Sequence, residues 1–213
     1  IQGKVKVYVA PNGVDEKVFH PDGEALGNKS NRIVFCSSMR VRRNIDAAVW
    51  FAKSIFPQIK KEVNDAEFWI VGSSPTQEVL QLNSINGVKV VGTVDNIEDY
   101  YKMGRVFVAP YHFGAGTKLK VLEAMASGIP IVSTSIGCRG IDVVDKQHIL
   151  VADNDAEFIS SVIKLLEDQN FAKKLSESAL ALIKEKYSWK IIIDELEPKM
   201  IETIKKNKKN TLQ

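Results

Sequence analysis

An α/β fold built on a doubly wound, parallel sheet is predicted by three features of the 213-residue sequence. Short runs rich in Val, Ile and Phe are apolar along most of their length rather than at alternate positions, the pattern of strands buried on both faces. These runs alternate with longer segments whose apolar residues recur every three or four positions, the period of an amphipathic helix. The composition, 45% apolar and 26% charged, is that of an ordinary globular protein rather than a disordered one. A chain of this length buries roughly 70% of its unfolded surface, so one domain spanning 1–213 needs no disulfide or metal to hold it.

The elements follow in order. Residues 1–30 read as a linker and first-strand region. Arg32–Ser37 is a buried strand, and Asn44–Val63 a helix with Ile45, Ala48, Val49, Ala52, Phe56, Ile59 and Val63 on one face. Glu67–Gly72 and Val88–Gly92 are the next two strands. A short helix, Asn96–Met103, leads into a fourth strand, Arg105–Pro110. A glycine-rich turn, a helix over Lys118–Ser127 and a fifth strand, Ile129–Thr134, come next. His148–Ala152 is a shorter sixth strand. Asn154 and Glu157 form a capping-box pattern ahead of the Phe158, Ile159, Val162, Leu165, Leu166 stripe. A further helix carries Phe171, Leu175, Ala179, Leu182 and Ile183, and a C-terminal helix with a basic tail occupies 190–213.

Composition also excludes several functions. The 29 basic and 26 acidic residues leave a net charge of +3, too balanced for a dedicated nucleic-acid binder. The excess lies in the tail Lys205-Lys206-Asn207-Lys208-Lys209, read as a solvated helix end. Cys36 and Cys138 form no CxxC pair, which excludes a disulfide scaffold or zinc knuckle and points to a reducing compartment. His20 and His148 have no companions that suggest a metal. No apolar run reaches the length of a membrane span. The chain opens on Ile1 without a signal-peptide pattern, as expected of a processed protein or an excised piece of a longer one.

In an open parallel sheet, ligands bind beyond the carboxyl ends of the strands, against helix N-termini. Such termini are electropositive and favour acidic residues. Here Arg42 and Arg43 directly precede one helix, and Lys118 and Lys120 occupy the first turn of another, after Gly114-Ala115-Gly116-Thr117. A bound anion would reverse the sign of that mismatch. Glycines let the backbone approach a ligand and aim successive N–H groups at one spot, as phosphate holding requires. Taken alone, the Gly114 turn also reads as a tight turn whose lysines reach into water; both turns together favour an anion. The dinucleotide fingerprint fails at Leu119, and a Walker loop fails because Thr117-Lys118 is in the wrong order. Glu123 lies six residues past Thr117, on the helix whose start would hold phosphate, where it can accept hydrogen bonds from sugar hydroxyls.

The run from Pro110 to Val132, and above all Glu123-Ala124-Met125-Ala126-Ser127-Gly128-Ile129-Pro130-Ile131-Val132, resembles the retaining glycosyltransferases of family four. The likeness is to their C-terminal, donor-binding, Rossmann-like half of the GT-B fold. Pro11-Asn12-Gly13-Val14-Asp15, the Phe35–Asp46 turn, Val71-Gly72 and Val91-Gly92-Thr93-Val94 fall in the family's order, so the resemblance spans about Val7 to Trp189. It implies that Glu123 binds the donor's ribose and that Arg43 stands where a diphosphate-binding lysine does. Gly116, Thr117 and Leu119 would meet the distal phosphate and sugar, and Val94 and Asn96 the base. Gly72 and Ser38 are further expected donor-binding positions, and His112, at a strand end beside the glycines, reads either as another or as a turn-supporting histidine. Arg43 and Lys118 would carry catalysis by stabilising the charge that develops on the leaving diphosphate. The motif's first Glu falls on Ala115, and the arginine that partners the diphosphate-binding lysine falls on Ser38.

The implied partner is a nucleotide-sugar donor, without metal or other cofactor. Hexosyl transfer to a glycan, lipid or other acceptor would also need an N-terminal acceptor domain, which should precede Ile1. The setting that the resemblance implies is bacterial polysaccharide or glycoconjugate assembly in the cytoplasm, with any attachment to the inner membrane made through that other half. A sugar-nucleotide epimerase and a non-catalytic nucleotide-binding module are the alternatives.

Overall fold

The structure is a computed structural model that describes residues 7–21, 23 and 30–211, with side chains described as far as Ile204. Part of the expected 1–30 linker and the side chains of the lysine tail therefore lie outside the described residues. Six parallel strands, β1 (Arg32–Cys36), β2 (Glu67–Val71), β3 (Val88–Gly92), β4 (Val106–Ala109), β5 (Ile131–Ser133) and β6 (Leu150–Val151), form one sheet ordered β3-β2-β1-β4-β5-β6. This is the doubly wound order, whose direction of growth reverses between β1 and β4. Burial explains why the strands read as continuous apolar runs. Ile33, Val34, Phe35 and Cys36 of β1 and all four residues of β4 are inaccessible, because helices cover both faces.

Helices α1 (Arg42–Trp50) and α2 (Phe56–Glu62) flank one face together with α6 (Asp155–Glu167). There Phe51 packs on Phe68 with ring centroids 4.5 Å apart, and Phe158 meets both Trp50 and Phe51. On the other face lie α4 (Glu98–Met103), α5 (Leu119–Ala126) and α7 (Gln169–Leu182). Tyr101 fills the space there between Phe19 and Phe107. A short helix α3 (Gln77–Leu80) and a 3₁₀ turn (Gln81–Ser84) connect β2 to β3, and neither has a clear sequence period.

The helix expected over 44–63 begins two residues earlier, at Arg42, and is not uniform. Phe51–Ile55 forms a π turn in which the Phe56 N–H bonds the Phe51 carbonyl five residues back. Pro57 follows at once; it has no N–H to give an i−4 carbonyl, and the widened turn accommodates it. A second π turn, Ile183–Tyr187, joins α7 to the last helix, α8 (Trp189–Thr211). The described N-terminal segment docks at that junction through a Val14 N–H to Tyr187 carbonyl bond of 2.8 Å. Ile193, Met200 and Ile201 of α8 are exposed, as is Trp189. No helix among the described residues is long and apolar enough to cross a membrane.

The capping residue ahead of α6 behaves as its sequence pattern predicts. The Asn154 side-chain oxygen accepts the Glu157 N–H at 3.0 Å. Replacing Asn154 with Ala should cost about 1 kcal/mol, lowering the thermal midpoint by roughly 2–4 °C at this size. A melting curve of the variant that overlays the wild type would contradict that role for the cap.

Candidate functional site

The reversal of strand order between β1 and β4 leaves a crevice at their carboxyl ends, bounded by the loops after β1, β4 and β5. Glycine contacts seat these loops. A Cβ at Gly72, after β2, would collide with the Ser37 carbonyl after β1, and Gly72 has φ +147°. A Cβ at Gly137, after β5, would collide with Ser133 Oγ and the Ala109 carbonyl at the end of β4. Glycine at 72 thus has a packing reason of its own: it lets two strand ends meet at backbone distance.

The Gly114–Lys118 turn forms one wall. Gly114 (φ +120°) lies against the Arg43 side chain: a Cβ added there would be 2.8 Å from Arg43 Cδ and 3.7 Å from Lys118 Nζ. A side chain at 114 would therefore push Arg43 aside and sit in contact with Lys118. Gly116 (φ +75°) faces open space, since an added Cβ meets nothing within 4 Å. Its glycine is required by backbone conformation and leaves the turn accessible.

Lys118 is the N-cap of α5, with extended φ −89°, ψ 98°. It is buried, at 6% exposure. Its ammonium donates to the Gly116 carbonyl at 2.9 Å and the Ala115 carbonyl at 3.3 Å, and lies 5.7 Å from the centre of the Tyr111 ring. Burial lowers its pKa from the ordinary lysine value, and the charges of Arg43 and Arg139 push the same way. Arg43, in the first turn of α1, has a buried Nε with no hydrogen-bond partner. Among the described residues no carboxylate pairs with Arg43, Lys118 or Arg139.

The other two cations that look misplaced in the sequence are neutralised. Arg42 pairs with Asp46 one turn along α1 and with Glu78 at 3.1 Å. Lys120 reaches both oxygens of Glu123, at 2.8 and 3.0 Å. Glu123 also accepts from the buried Tyr101 hydroxyl at 2.9 Å. These contacts hold the carboxylate in one orientation while leaving acceptor capacity, since a carboxylate has about four lone-pair sites. Tyr111 lies between the two groups. Burial pushes its phenol up to about 12, while a hydrogen bond with Ser37 and the Arg43 charge oppose that rise.

The remaining expected residues spread along the same rim. Thr117 is half-buried under the next loop, its Oγ1 2.9 Å from where a Cβ at Gly140 would lie. Leu119 opens α5 and is largely exposed. Ser38 is a brace: its hydroxyl accepts from Ser73 at 3.0 Å and its carbonyl from Asn44 Nδ2 at 2.7 Å. Val94 packs on the core and Asn96 is exposed, both beyond the end of β3 rather than at the β1–β4 gap. His112 is exposed with its ring edge-on to Trp50, 4.2 Å between centroids. The structure thus brings together Arg43, Lys118, Gly116 and Thr117, sets Glu123 next to them, and turns His112 onto α1.

Tyr101 and Tyr111 escape the sequence reading as site residues, Lys120 enters it only as a cation that favours an anion, and Arg139 reads from its glycine-flanked loop as a solvated arginine or one that faces the pocket. One signal was present for Arg139: like Lys118, it is a cation in a glycine-bearing loop that follows a buried strand. Among the described residues no group of three or more His, Cys, Asp or Glu is arranged to hold a metal ion. Both cysteines are free and buried, and burial raises the Cys138 thiol above its ordinary range.

The chain matches known proteins over most of its length. The sequence profile of a family described as Glycosyl transferases group 1 matches residues 30–168. A GDP-mannose-dependent alpha-(1-6)-phosphatidylinositol monomannoside mannosyltransferase of Mycolicibacterium smegmatis is 28% identical over 203 residues, covering 84% of this chain and 52% of that protein. The chain spans about half or less of the length of the curated relatives it matches. Its backbone superposes on the C-terminal domain of a glycosyl transferase group 1 family protein (LpcC) from Francisella tularensis with a TM-score of 0.64 and 18% identity, over 83% of this chain and all of that one. The pneumococcal O-GlcNAc transferase GtfA, solved with UDP and GlcNAc, gives a TM-score of 0.71 at 15% identity, over 95% of this chain and 41% of that one.

The Tyr101–Glu123 contact is testable without any ligand. Tyr101→Phe should destabilise the chain by about 1.5–3 kcal/mol, as expected when a buried hydrogen bond to a charged group is lost. In a double-mutant cycle with Glu123→Gln, urea denaturation should give a coupling of at least about 0.5 kcal/mol. Additive losses would mean that the two side chains do not act together.

Proposed function

The chain belongs to the glycosyl transferases group 1 family, of GT-B fold, and we propose that it is the donor half of a retaining glycosyltransferase of the cytoplasm, binding a nucleotide sugar without a metal. The observation that carries this reading is the meeting of Arg43 and Lys118 across Gly114, one with a buried, unpartnered Nε and the other buried beside like charge. An anion in the crevice relieves both conditions. A diphosphate suits the two helix N-termini and the open N–H groups near Gly116. Glu123, braced by Tyr101 and Lys120, then takes the ribose hydroxyls on the β1 side.

On this reading the chain binds the donor and stabilises its leaving group. Charge that builds on the departing diphosphate meets Arg43, Lys118 and the start of α5, groups already in place before the bond breaks. The crevice offers no side chain placed as a covalent nucleophile, which agrees with a front-face displacement. A glycan, lipid or other acceptor would be held by a second domain across the cleft. The exposed Ala115, where the family's first Glu would stand, leaves contact with the transferred sugar to backbone groups and neighbouring loops.

A thermal-shift screen of the 213-residue chain with UDP, GDP, ADP and dTDP tests this reading. A bound nucleotide at a hundredfold excess over its Kd should add about 2.7 kcal/mol, or roughly 5–11 °C in midpoint. No shift with any of the four would refute donor binding. With the nucleotide identified, Glu123→Ala should weaken the nucleoside diphosphate more than inorganic pyrophosphate, because only the former has a ribose. Equal losses for both would remove Glu123 from that role.

A further inference from the structure

The third cation at the crevice is unaccounted for by the residues assigned so far. Arg139 lies on the turn after β5, and that turn is fixed rather than free. Thr134 Oγ1 donates to the Tyr111 carbonyl at 2.5 Å and accepts the Gly137 N–H at 3.1 Å. The Cys138 N–H bonds the Thr134 carbonyl, and Ser135 N–H bonds Asp153 Oδ1 at 2.8 Å. Gly140 (φ +82°) then packs against Thr117 so closely that a Cβ there would stand 2.9 Å from Oγ1. The backbone before Arg139 is therefore tied to the end of β4, and the backbone after it to the Gly114–Lys118 turn. The guanidinium is exposed, and among the described residues no carboxylate pairs with it.

We infer that Arg139 is a third cationic ligand of the donor diphosphate and holds the phosphate next to the sugar. The inference rests on the donor reading above and deepens it. Its direction comes from the order of groups along the sheet rim. Val94 and Asn96 follow β3, Glu123 faces β1 and α4, Arg43 and Lys118 flank the β1–β4 gap, and Arg139 follows β5. With the ribose at Glu123, the first phosphate enters the gap between Arg43 and Lys118, and the second extends toward β5. Lys118 feels the charge of Arg139 as well as that of Arg43, so the three cations act on one space. A single phosphate between Arg43 and Lys118 would leave Arg139 beyond the anion; a second phosphate reaches it. Arginine also suits the position chemically, because its planar fork can grip two phosphate oxygens at once.

The test compares mono- and diphosphates of one base, UMP with UDP and GMP with GDP, titrated into the wild-type chain and Arg139→Gln by calorimetry. The variant should lose diphosphate affinity by about tenfold, the scale of one charge-assisted hydrogen bond, and keep monophosphate affinity within about twofold of wild type. The diphosphate loss should shrink as salt rises, since the group is exposed. Arg139→Lys should recover part of it. Because no carboxylate pairs with Arg139, the free variant should melt where the wild type does, which separates a binding loss from misfolding. Equal diphosphate affinity in variant and wild type overturns the inference and leaves the donor reading intact. So does an equal loss for both phosphates. Failure of the wild-type chain to bind any of UDP, GDP, ADP and dTDP overturns the donor reading, and this inference with it.

Discussion

Repulsion between like charges is the constraint on which the crevice depends. Lys118 is buried beside Arg43 and within the field of Arg139, and Arg43 and Lys118 stand at electropositive helix starts. A chain selected only to fold would put a carboxylate there, or remove the cations. Each cation at a helix N-terminus costs a few tenths of a kcal/mol, up to about one, which a domain with this much buried sheet tolerates. The arrangement is also specific. Where a carboxylate would be useful for stability alone, beside Arg42 and Lys120, the sequence supplies Asp46, Glu78 and Glu123. Of the four cations at these two helix starts, Arg43 and Lys118, which face the crevice, have no carboxylate partner among the described residues.

Sustaining such repulsion needs a rigid platform, and the backbone contacts at the strand ends provide it. Gly72 against Ser37 joins β2 to β1, while Gly137 against Ala109 joins β5 to β4. The Thr134 hydroxyl ties the loop after β5 to the Tyr111 carbonyl after β4. Behind them, fully buried strands and the Phe51, Phe68 and Phe158 cluster leave little room for the ends to move. The cations thus cannot relax apart by shifting their loops. Lys118 meets this by folding onto the carbonyls of Ala115 and Gly116.

Buried strands were legible because burial on both faces removes the polar residues that would otherwise interrupt them, and β1 through β4 lie within a residue or two of their expected limits. The shorter β6 pairs only through Leu150 and Val151, so little apolar sequence was needed to make it. The start of α1 was misplaced because Arg42 and Arg43 are unsuited to a first turn; the compensating Asp46 was visible at i+4, but Glu78 comes from another loop. In the site, the Gly114–Lys118 turn could be read because glycine and cation are adjacent in the chain. Arg139 could not be assigned, since what makes it part of the site is the packing of Gly140 on Thr117. Tyr101 looks like any core aromatic until its hydroxyl is seen on Glu123.

The two lysines of the α5 start show how one backbone step separates two kinds of recognition. Lys118 has extended backbone angles as the N-cap, and its ammonium bends back into the glycine turn beside Arg43. Lys120 is helical, and its side chain runs instead along α5 to Glu123, three residues on. Glu123 lies three residues past Lys120 but five past Lys118, so only Lys120 shares its face of α5. The extended step at residue 118 turns the other ammonium into the glycine turn. The result is a neutralised carboxylate, able to accept from hydroxyls without repelling phosphate, beside a group of cations whose charge is still available. Recognition of a sugar hydroxyl and of an anion can therefore occur within about one and a half helical turns of each other.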